Sequence, residues 1–215
     1  MDIKSKSWNW DEVKEKFWGE PAEEVYYLGN RWKKENNMKV LDLGCGIGRH
    51  SIFLSQNDFD VYAHDLSESG LRKLDEVSSK EGLNIKINLG DMVSLPYESN
   101  FFNCILAYNA IYHTDRVGIE KVISEIKRTL KDNGEIYLTF NSKNNPSFNN
   151  PSNEKIGENT IIKTEGKEKG IPHYYVDEKE VRRLMKDFKI ISLRHVEEIG
   201  DDWRSWHYYV LAKFI

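Results

Sequence analysis

Residues 39–50 read Lys39-Val40-Leu41-Asp42-Leu43-Gly44-Cys45-Gly46-Ile47-Gly48-Arg49-His50, and this stretch decides the fold. Lys39 to Leu43 is a short, largely apolar run that reads as a strand buried on both faces. Gly44, Gly46 and Gly48 then alternate through a turn. Glycine has no Cβ, so the backbone there bends tightly and approaches a ligand closely. A helix is predicted from Arg49 to Gln56, and the free amides at its start suit an anionic group.

Working outward, strands and helices alternate. Asp11 to Glu35 reads as helix in two pieces, broken near Gly19-Glu20-Pro21, with Pro21 placed as an early helical residue. Further strands are predicted at 61–64, 85–89, 102–108 and 135–140. Helices are predicted at 67–79, capped by Ser67, and at 118–130, where Ile119, Val122, Ile123, Ile126 and Leu130 share one face. Lys131-Asp132-Asn133-Gly134 reads as a turn. This rhythm predicts a parallel sheet with helices on both faces. Residues 141–170, rich in Asn, Ser, Pro, Gly and Lys, interrupt it. A connection of that length is a lid, a substrate-binding insertion or a disordered segment. A helix at 177–188 capped by Asp177 follows. Strands at 189–197 and 207–213 then suggest an antiparallel hairpin at the sheet edge.

Two ligand classes use a strand–glycine turn–helix unit of this kind: dinucleotides and S-adenosylmethionine (SAM). A dinucleotide fingerprint places a third glycine three residues after the second, where helix and strand pack closely. Here that position is Arg49. Asp42, just ahead of the turn, repels a pyrophosphate but tolerates the cationic ammonium and sulfonium of SAM. The residues therefore favour SAM over a nicotinamide dinucleotide.

The composition fits one domain of 215 residues, with 39% hydrophobic and 31% charged residues. A net charge of -4 argues against a protein that chiefly grips nucleic-acid phosphates. Two cysteines, Cys45 and Cys104, read as interior or ligand-lining, so a reducing, cytoplasmic setting is expected. No apolar run is long enough for a membrane span, and Met1-Asp2-Ile3-Lys4 lacks the apolar core of a signal peptide. The six His and two Cys are scattered without metal-ligand spacing, so no metal is expected. Aromatic residues concentrate at the two ends of the chain, including Trp8, Trp10, Trp18 and Trp32 before the glycine turn and Trp203, Trp206, Tyr208 and Tyr209 near the C-terminus.

The combined pattern resembles the class I SAM-dependent methyltransferases, and within them the small-molecule branch. The resemblance rests on LDLGCGIGRH at 41–50, Asp65 closing the second strand, and Gly90-Asp91-Met92 after the third. ILAYNAIYH at 105–113 and SEIKRTLKDNGEIYLTF at 124–140 complete it. It covers residues 39–140 and, more loosely, the closing helix and hairpin. It implies a three-layer Rossmann-like α/β sandwich, with a seven-stranded, mostly parallel sheet, its last strand antiparallel, and helices on both faces. The whole chain, 1–215, is then one methyltransferase domain. It comprises a helical cap (1–37), a SAM-binding core (38–140), a loop insertion (141–172), and a closing helix and β-hairpin (173–215).

The resemblance also implies roles. Gly44, Cys45, Gly46 and Gly48 pass under the methionine part of SAM, with Asp42 acting nearby through water or helix amides. Asp65, beside Leu66, accepts from both ribose hydroxyls. Asp91 accepts from the adenine amino group and the Met92 amide donates to a ring nitrogen. A backbone carbonyl of Tyr108 or Asn109 meets the methionine ammonium. Tyr27 and Arg31, one helical turn apart, reach the methionine carboxylate, and the N-terminal aromatics cap the site. His113 is the leading candidate for a general base, with Tyr112 and His173 beside it as catalytic candidates. Tyr174, Tyr175, Trp206 and His207 also stand near enough in the pattern to face the methyl group. His50, His64 and His195 read as structural or surface residues.

The expected partner is a small-molecule acceptor, with S-adenosylhomocysteine as the cofactor product. Methyltransferases of nucleic-acid adenine carry an Asn/Asp-Pro-Pro-aromatic motif after the fourth strand. This chain has Asn109-Ala110-Ile111-Tyr112, without either proline, which counts against base methylation. Protein or RNA methylation, and a non-catalytic SAM- or nucleotide-binding module, are the alternatives.

Overall fold

The computed structural model describes residues 6–13, 19–201 and 203–215. Its centre is a sheet in which β3 (Ile85–Leu89), β2 (Asp60–Asp65), β1 (Lys39–Leu43), β4 (Phe102–Ala107) and β5 (Leu130–Ser142) lie side by side and parallel. β10 (Arg204–Phe214) runs antiparallel against β5, and β9 (Phe188–Ile199) runs antiparallel against β10. These seven strands form the mostly parallel sheet expected, its last strand antiparallel.

The closing hairpin of β9 and β10 stands at the sheet edge, as expected, with β9 outermost. β10 lies between β5 and β9, because His207, Tyr208, Tyr209, Val210 and Ala212 are buried and need cover on both faces. The predicted turn at 131–134 falls inside β5 as an irregularity: Leu130 pairs with Phe102, Asn133 takes φ 61°, and pairing resumes at Glu135 opposite Cys104.

Alternation along the strands separates two apolar layers. Leu41, Leu43, Ile105, Ile136 and Leu138 face α4 (Arg116–Thr129) and α5 (Glu178–Leu184) through Ile119, Val122, Ile126 and Val181. Val40, Val61, Cys104, Leu106 and Tyr137 face the other way. They meet Val25, Leu28 and Trp32 of α1 (Glu23–Lys34) and Leu54 of α2 (Arg49–Gln56). On that face Ala63 also meets Leu71 and Leu74 of α3 (Glu68–Glu81). The caps fall where the side chains predict. Ser67 accepts from the Gly70 amide at 3.2 Å, and Asp177 from the Glu180 amide at 2.9 Å.

Residues 141–176 are ordered. A 3₁₀ turn at Pro146–Asn149 leads to three short strands, β6 (Glu154–Gly157), β7 (Thr160–Ile162) and β8 (Pro172–Val176), paired antiparallel in succession. β8 then pairs parallel with the end of β5, Asn141 opposite Tyr175 and Ser142 opposite Val176. The Tyr174 amide donates to the Tyr112 carbonyl at 2.8 Å, so β8 runs in the lane that β4 vacates. The insertion thus adds strands at the carboxyl end of the sheet. Among the described residues no helix is long and apolar enough to cross a membrane. Trp18, expected in the N-terminal packing, lies outside the described residues.

Candidate active site

A pocket opens at the carboxyl ends of the parallel strands. Gly44, Cys45 and Ile47 from the loop after β1, and Arg49 and His50 from α2, form one wall. His64, Asp65 and Leu66 at the end of β2, with Gly90, Asp91 and Met92 after β3, form a second. Tyr108, Asn109, Ala110 and His113 after β4 form a third, and Lys6, Ser7, Trp8 and Trp10 complete the lining. Ligands of open parallel sheets bind at this end, where successive loops diverge.

The three loop glycines have distinct duties. All take positive φ (72°, 56° and 78°), which favours glycine. A Cβ on Gly44 would stand 2.2 Å from the Ala110 Cβ, so this glycine lets two pocket loops touch. A Cβ on Gly46 would stand 2.3 Å from the Trp10 ring, and one on Gly48 2.3 Å from Leu74. Gly46 and Gly48 are therefore seats for protein side chains and do not line the pocket, contrary to the expectation for them.

Asp65 is held from both sides. Its Oδ2 accepts from the Gly46 amide and its Oδ1 from the Ser67 amide, each at 2.7 Å. Burial pushes its pKa up, opposed by these two amides. Each oxygen keeps a further lone pair for a ligand hydroxyl. Asp91 lies in the pocket wall with Oδ1 accepting from the Val93 amide at 3.1 Å, a local turn contact. Asp42 corrects the expectation. It is 1% exposed, accepts from the Ser51 hydroxyl at 2.6 Å, and is absent from the lining. Burial pushes its pKa up to about 6. It joins β1 to α2 beneath the loop.

Asn109 takes φ 52°, a left-handed backbone uncommon outside glycine. Buried Thr139 on β5 holds it there. The Thr139 hydroxyl accepts from the Asn109 amide at 2.7 Å and donates to its Oδ1 at 3.0 Å. This clamp sets the backbone of 108–110 at the pocket wall, and no motif in the sequence singles out Thr139. Thr139→Val removes both bonds from a buried strand. The expected result is a loss of about 1–3 kcal/mol in stability, read by chemical denaturation, together with weaker SAM binding. Unchanged values of both show that Asn109 holds its backbone unaided.

The remaining predicted residues divide. Of the three catalytic candidates His113 lines the pocket, but its Nε2 is buried and turned toward Glu168, 3.4 Å from Oε1. Tyr112 is buried behind it, its hydroxyl 3.3 Å from the His207 Nε2, and burial pushes its pKa well up. His173 is fully buried, and burial holds its pKa down to about 4. Neither Tyr112 nor His173 presents a base to the pocket. Tyr174 bonds Glu180, Tyr175 bonds Ser147, and Trp206 packs on His195, with ring centroids 4.8 Å apart.

Tyr27 and Arg31 are a further correction. Tyr27 is 66% exposed on α1, and Arg31 pairs with Glu135 at the amino end of the sheet, opposite the pocket. The cap comes instead from residues 6–13. Ser67 donates to the Trp8 carbonyl at 2.6 Å, the Trp10 amide donates to Ser69 Oγ at 3.0 Å, and Arg72 pairs with Asp11 at 2.8 Å. Two histidines read as structural, His50 and His64, also reach the lining. His50 is nonetheless fixed, accepting from the Ala22 amide at 3.2 Å. Arg49 sits in the lining with its guanidinium 5.3 Å from the Tyr108 ring centre.

Residues 40–134 match the family described as "Methyltransferase domain". The chain is 35% identical over 89 residues to "Probable S-adenosyl-L-methionine-dependent methyltransferase TehB" of Haemophilus influenzae, which covers 41% of this chain and 31% of that protein. It is 31% identical over 116 residues to a sterol 24-C-methyltransferase of Gibberella zeae, covering 53% and 30%. The chain thus spans under a third of the length of these curated relatives. In structure it superposes on a SAM-dependent methyltransferase of Methanosarcina mazei with a TM-score of 0.70 at 19% identity, over 85% of this chain and 97% of the other. At that identity the likeness shows the fold. Residues 40–134 thus match a methyltransferase domain, and the fold around them is like that of solved SAM-dependent methyltransferases.

Proposed function

We propose that this chain binds SAM in the pocket and transfers its methyl group to a small-molecule acceptor, leaving S-adenosylhomocysteine. The observation that carries this reading is Asp65: a carboxylate fixed by two backbone amides at the pocket wall, beside Gly44 and Cys45. A rigid pair of acceptor oxygens suits the paired hydroxyls of a ribose. Leu66 packs beside that ribose, Asp91 accepts from the adenine amino group, and the Met92 amide donates to the ring. The Tyr108–Asn109 backbone, clamped by Thr139, meets the methionine ammonium. Arg49 takes over the carboxylate contact expected of Arg31, because it is the guanidinium that lines the pocket.

The sulfonium already makes the methyl group electrophilic. The acceptor's lone pair forms the new bond to carbon while the sulfur–carbon bond breaks and its electron pair returns to sulfur. What the protein adds is alignment of the two and exclusion of water, effects that intramolecular orientation rewards strongly. Trp8, Trp10 and Ser7 join the lining, and the aromatic faces of the two tryptophans suit a small apolar or cationic acceptor. The acid-rich net charge of -4 agrees, as does the sterol named for one relative. Two buried free cysteines, Cys45 and Cys104, fit a reducing compartment such as the cytoplasm.

Calorimetric titration with SAM, S-adenosylhomocysteine and NAD tests the cofactor. Binding of the first two with no heat from NAD is expected, and a preference for NAD defeats the proposal. Radiolabelled methyl transfer into a size-fractionated cell extract tests the acceptor. Label in the low-mass fraction is expected; label chiefly in protein or RNA rejects the small-molecule reading.

A further inference from the structure

We propose that His113, Glu168 and His173 form a binding site for one divalent transition-metal ion, of the zinc and cobalt class, in the wall of the pocket. The three residues come from separate elements: the segment after β4, the connection between β7 and β8, and β8 itself. Their ligand atoms lie within 4.8 Å of one another. Glu168 Oε1 is 3.4 Å from His113 Nε2 and 3.2 Å from His173 Nε2. Two ligands at about 2.0–2.1 Å from a tetrahedral ion stand roughly 3.3 Å apart, which matches both separations. The two imidazole rings are nearly perpendicular, at 86° with centres 4.8 Å apart, so both nitrogens turn to one carboxylate without stacking.

The directions of the atoms argue the same way. Both Nε2 atoms are buried, and neither makes a hydrogen bond, although a carboxylate oxygen is close by. For His173 the tautomer follows from its other nitrogen. Nδ1 lies 2.9 Å from the Ile171 carbonyl, which only accepts, so Nδ1 carries the hydrogen. With the hydrogen on Nδ1, the neutral ring offers Glu168 a lone pair at Nε2 and no proton. Two acceptors at 3.2 Å repel unless a cation lies between them. A ligating histidine is typically oriented in this way, its far N–H given to a backbone carbonyl. Lys163 pairs with the opposite oxygen, Oε2, and so holds the carboxylate from behind while leaving Oε1 free.

Two imidazoles and one carboxylate favour a borderline transition ion over Mg²⁺ or Ca²⁺, which take oxygen donors. Three protein ligands leave a coordination position open, the pattern of catalytic sites. His113 is part of the pocket wall, so the site adjoins the ligand space through that residue. The site stands on its donor geometry alone. Only its consequence, an ion able to hold an acceptor heteroatom beside the methyl group, rests on the methyltransferase reading.

The test uses the full chain without a histidine tag, stripped with chelator and titrated with Co²⁺ in the absence of SAM. The readout is visible d–d absorption, with Zn²⁺ as competitor. One equivalent is expected to bind, and at least about tenfold more weakly in Glu168→Gln and His173→Ala, with circular dichroism reporting that each variant is folded. No saturable cobalt band in the wild type, the outcome if His173 and Glu168 merely share a proton, overturns the proposal. So does binding that both variants retain. If both variants fail to fold, the wild type decides: Zn²⁺ shifts the ring ¹⁵N resonances of two histidines, and an absence of shifts overturns the site. SAM binding measured separately on the stripped chain keeps the two proposals apart.

Discussion

Asp65→Ala weakens binding of S-adenosylhomocysteine by about 1–3 kcal/mol, roughly fivefold to 150-fold in Kd, the scale of hydrogen bonds to a charged group. Two effects add. The ligand loses its ribose acceptor, and the Gly46 and Ser67 amides lose the carboxylate that both now share at 2.7 Å. The glycine loop and the start of α3 are then no longer tied together beneath the ligand. Asp65→Asn separates the effects poorly, since its amide group must turn a donor toward one of the two amides. Titration calorimetry of the alanine variant is therefore the deciding measurement. A Kd equal to the wild type removes Asp65 from the site and, with it, the observation on which the cofactor reading rests.

Glu135→Ala is expected to cost about 2–3 kcal/mol of stability, the scale of a buried donor left unsatisfied plus a weakened ion pair, while leaving SAM binding unchanged. Glu135 accepts from Arg31 Nη1 at 3.1 Å, from Arg31 Nη2, and from the indole of Trp32 at 2.9 Å. Burial raises its pKa, but the bonds to Arg31 and Trp32 outweigh this and bring it below the usual carboxylate range. Truncation leaves the fully buried Trp32 indole N–H without its acceptor, while the partly exposed Arg31 keeps Glu35 at 3.2 Å. The midpoint of urea unfolding is the measurement. Because Glu135 begins the continuous pairing of β5 with β4, at the end of the sheet away from the pocket, the ligand Kd should not move. A variant of normal stability and lost affinity would return Arg31 to the binding site.

The sequence by itself determined the layered α/β sheet, because its evidence is local. Apolar strands end in Gly44, Asp65 and Asp91, caps such as Ser67 and Asp177 carry their own mechanism, and Ile119 to Ile126 repeat at helical spacing. The pocket's position followed as well, since the ends of parallel strands are set by connectivity. Tertiary structure alone decided which neighbours each site residue has. Trp10 on Gly46, Thr139 on Asn109, and Arg31 on Glu135 are pairings between distant segments. No periodicity reports such pairings, because a side chain's partner depends on where another element crosses it. The same holds for 141–176, whose turn-rich composition hides strands too short to show alternation. Only when β8 takes the lane beyond β4 do His113, Glu168 and His173 meet. His113, far from the other two in the chain, then stands 3.4 Å from the same Glu168 oxygen that His173 approaches to 3.2 Å.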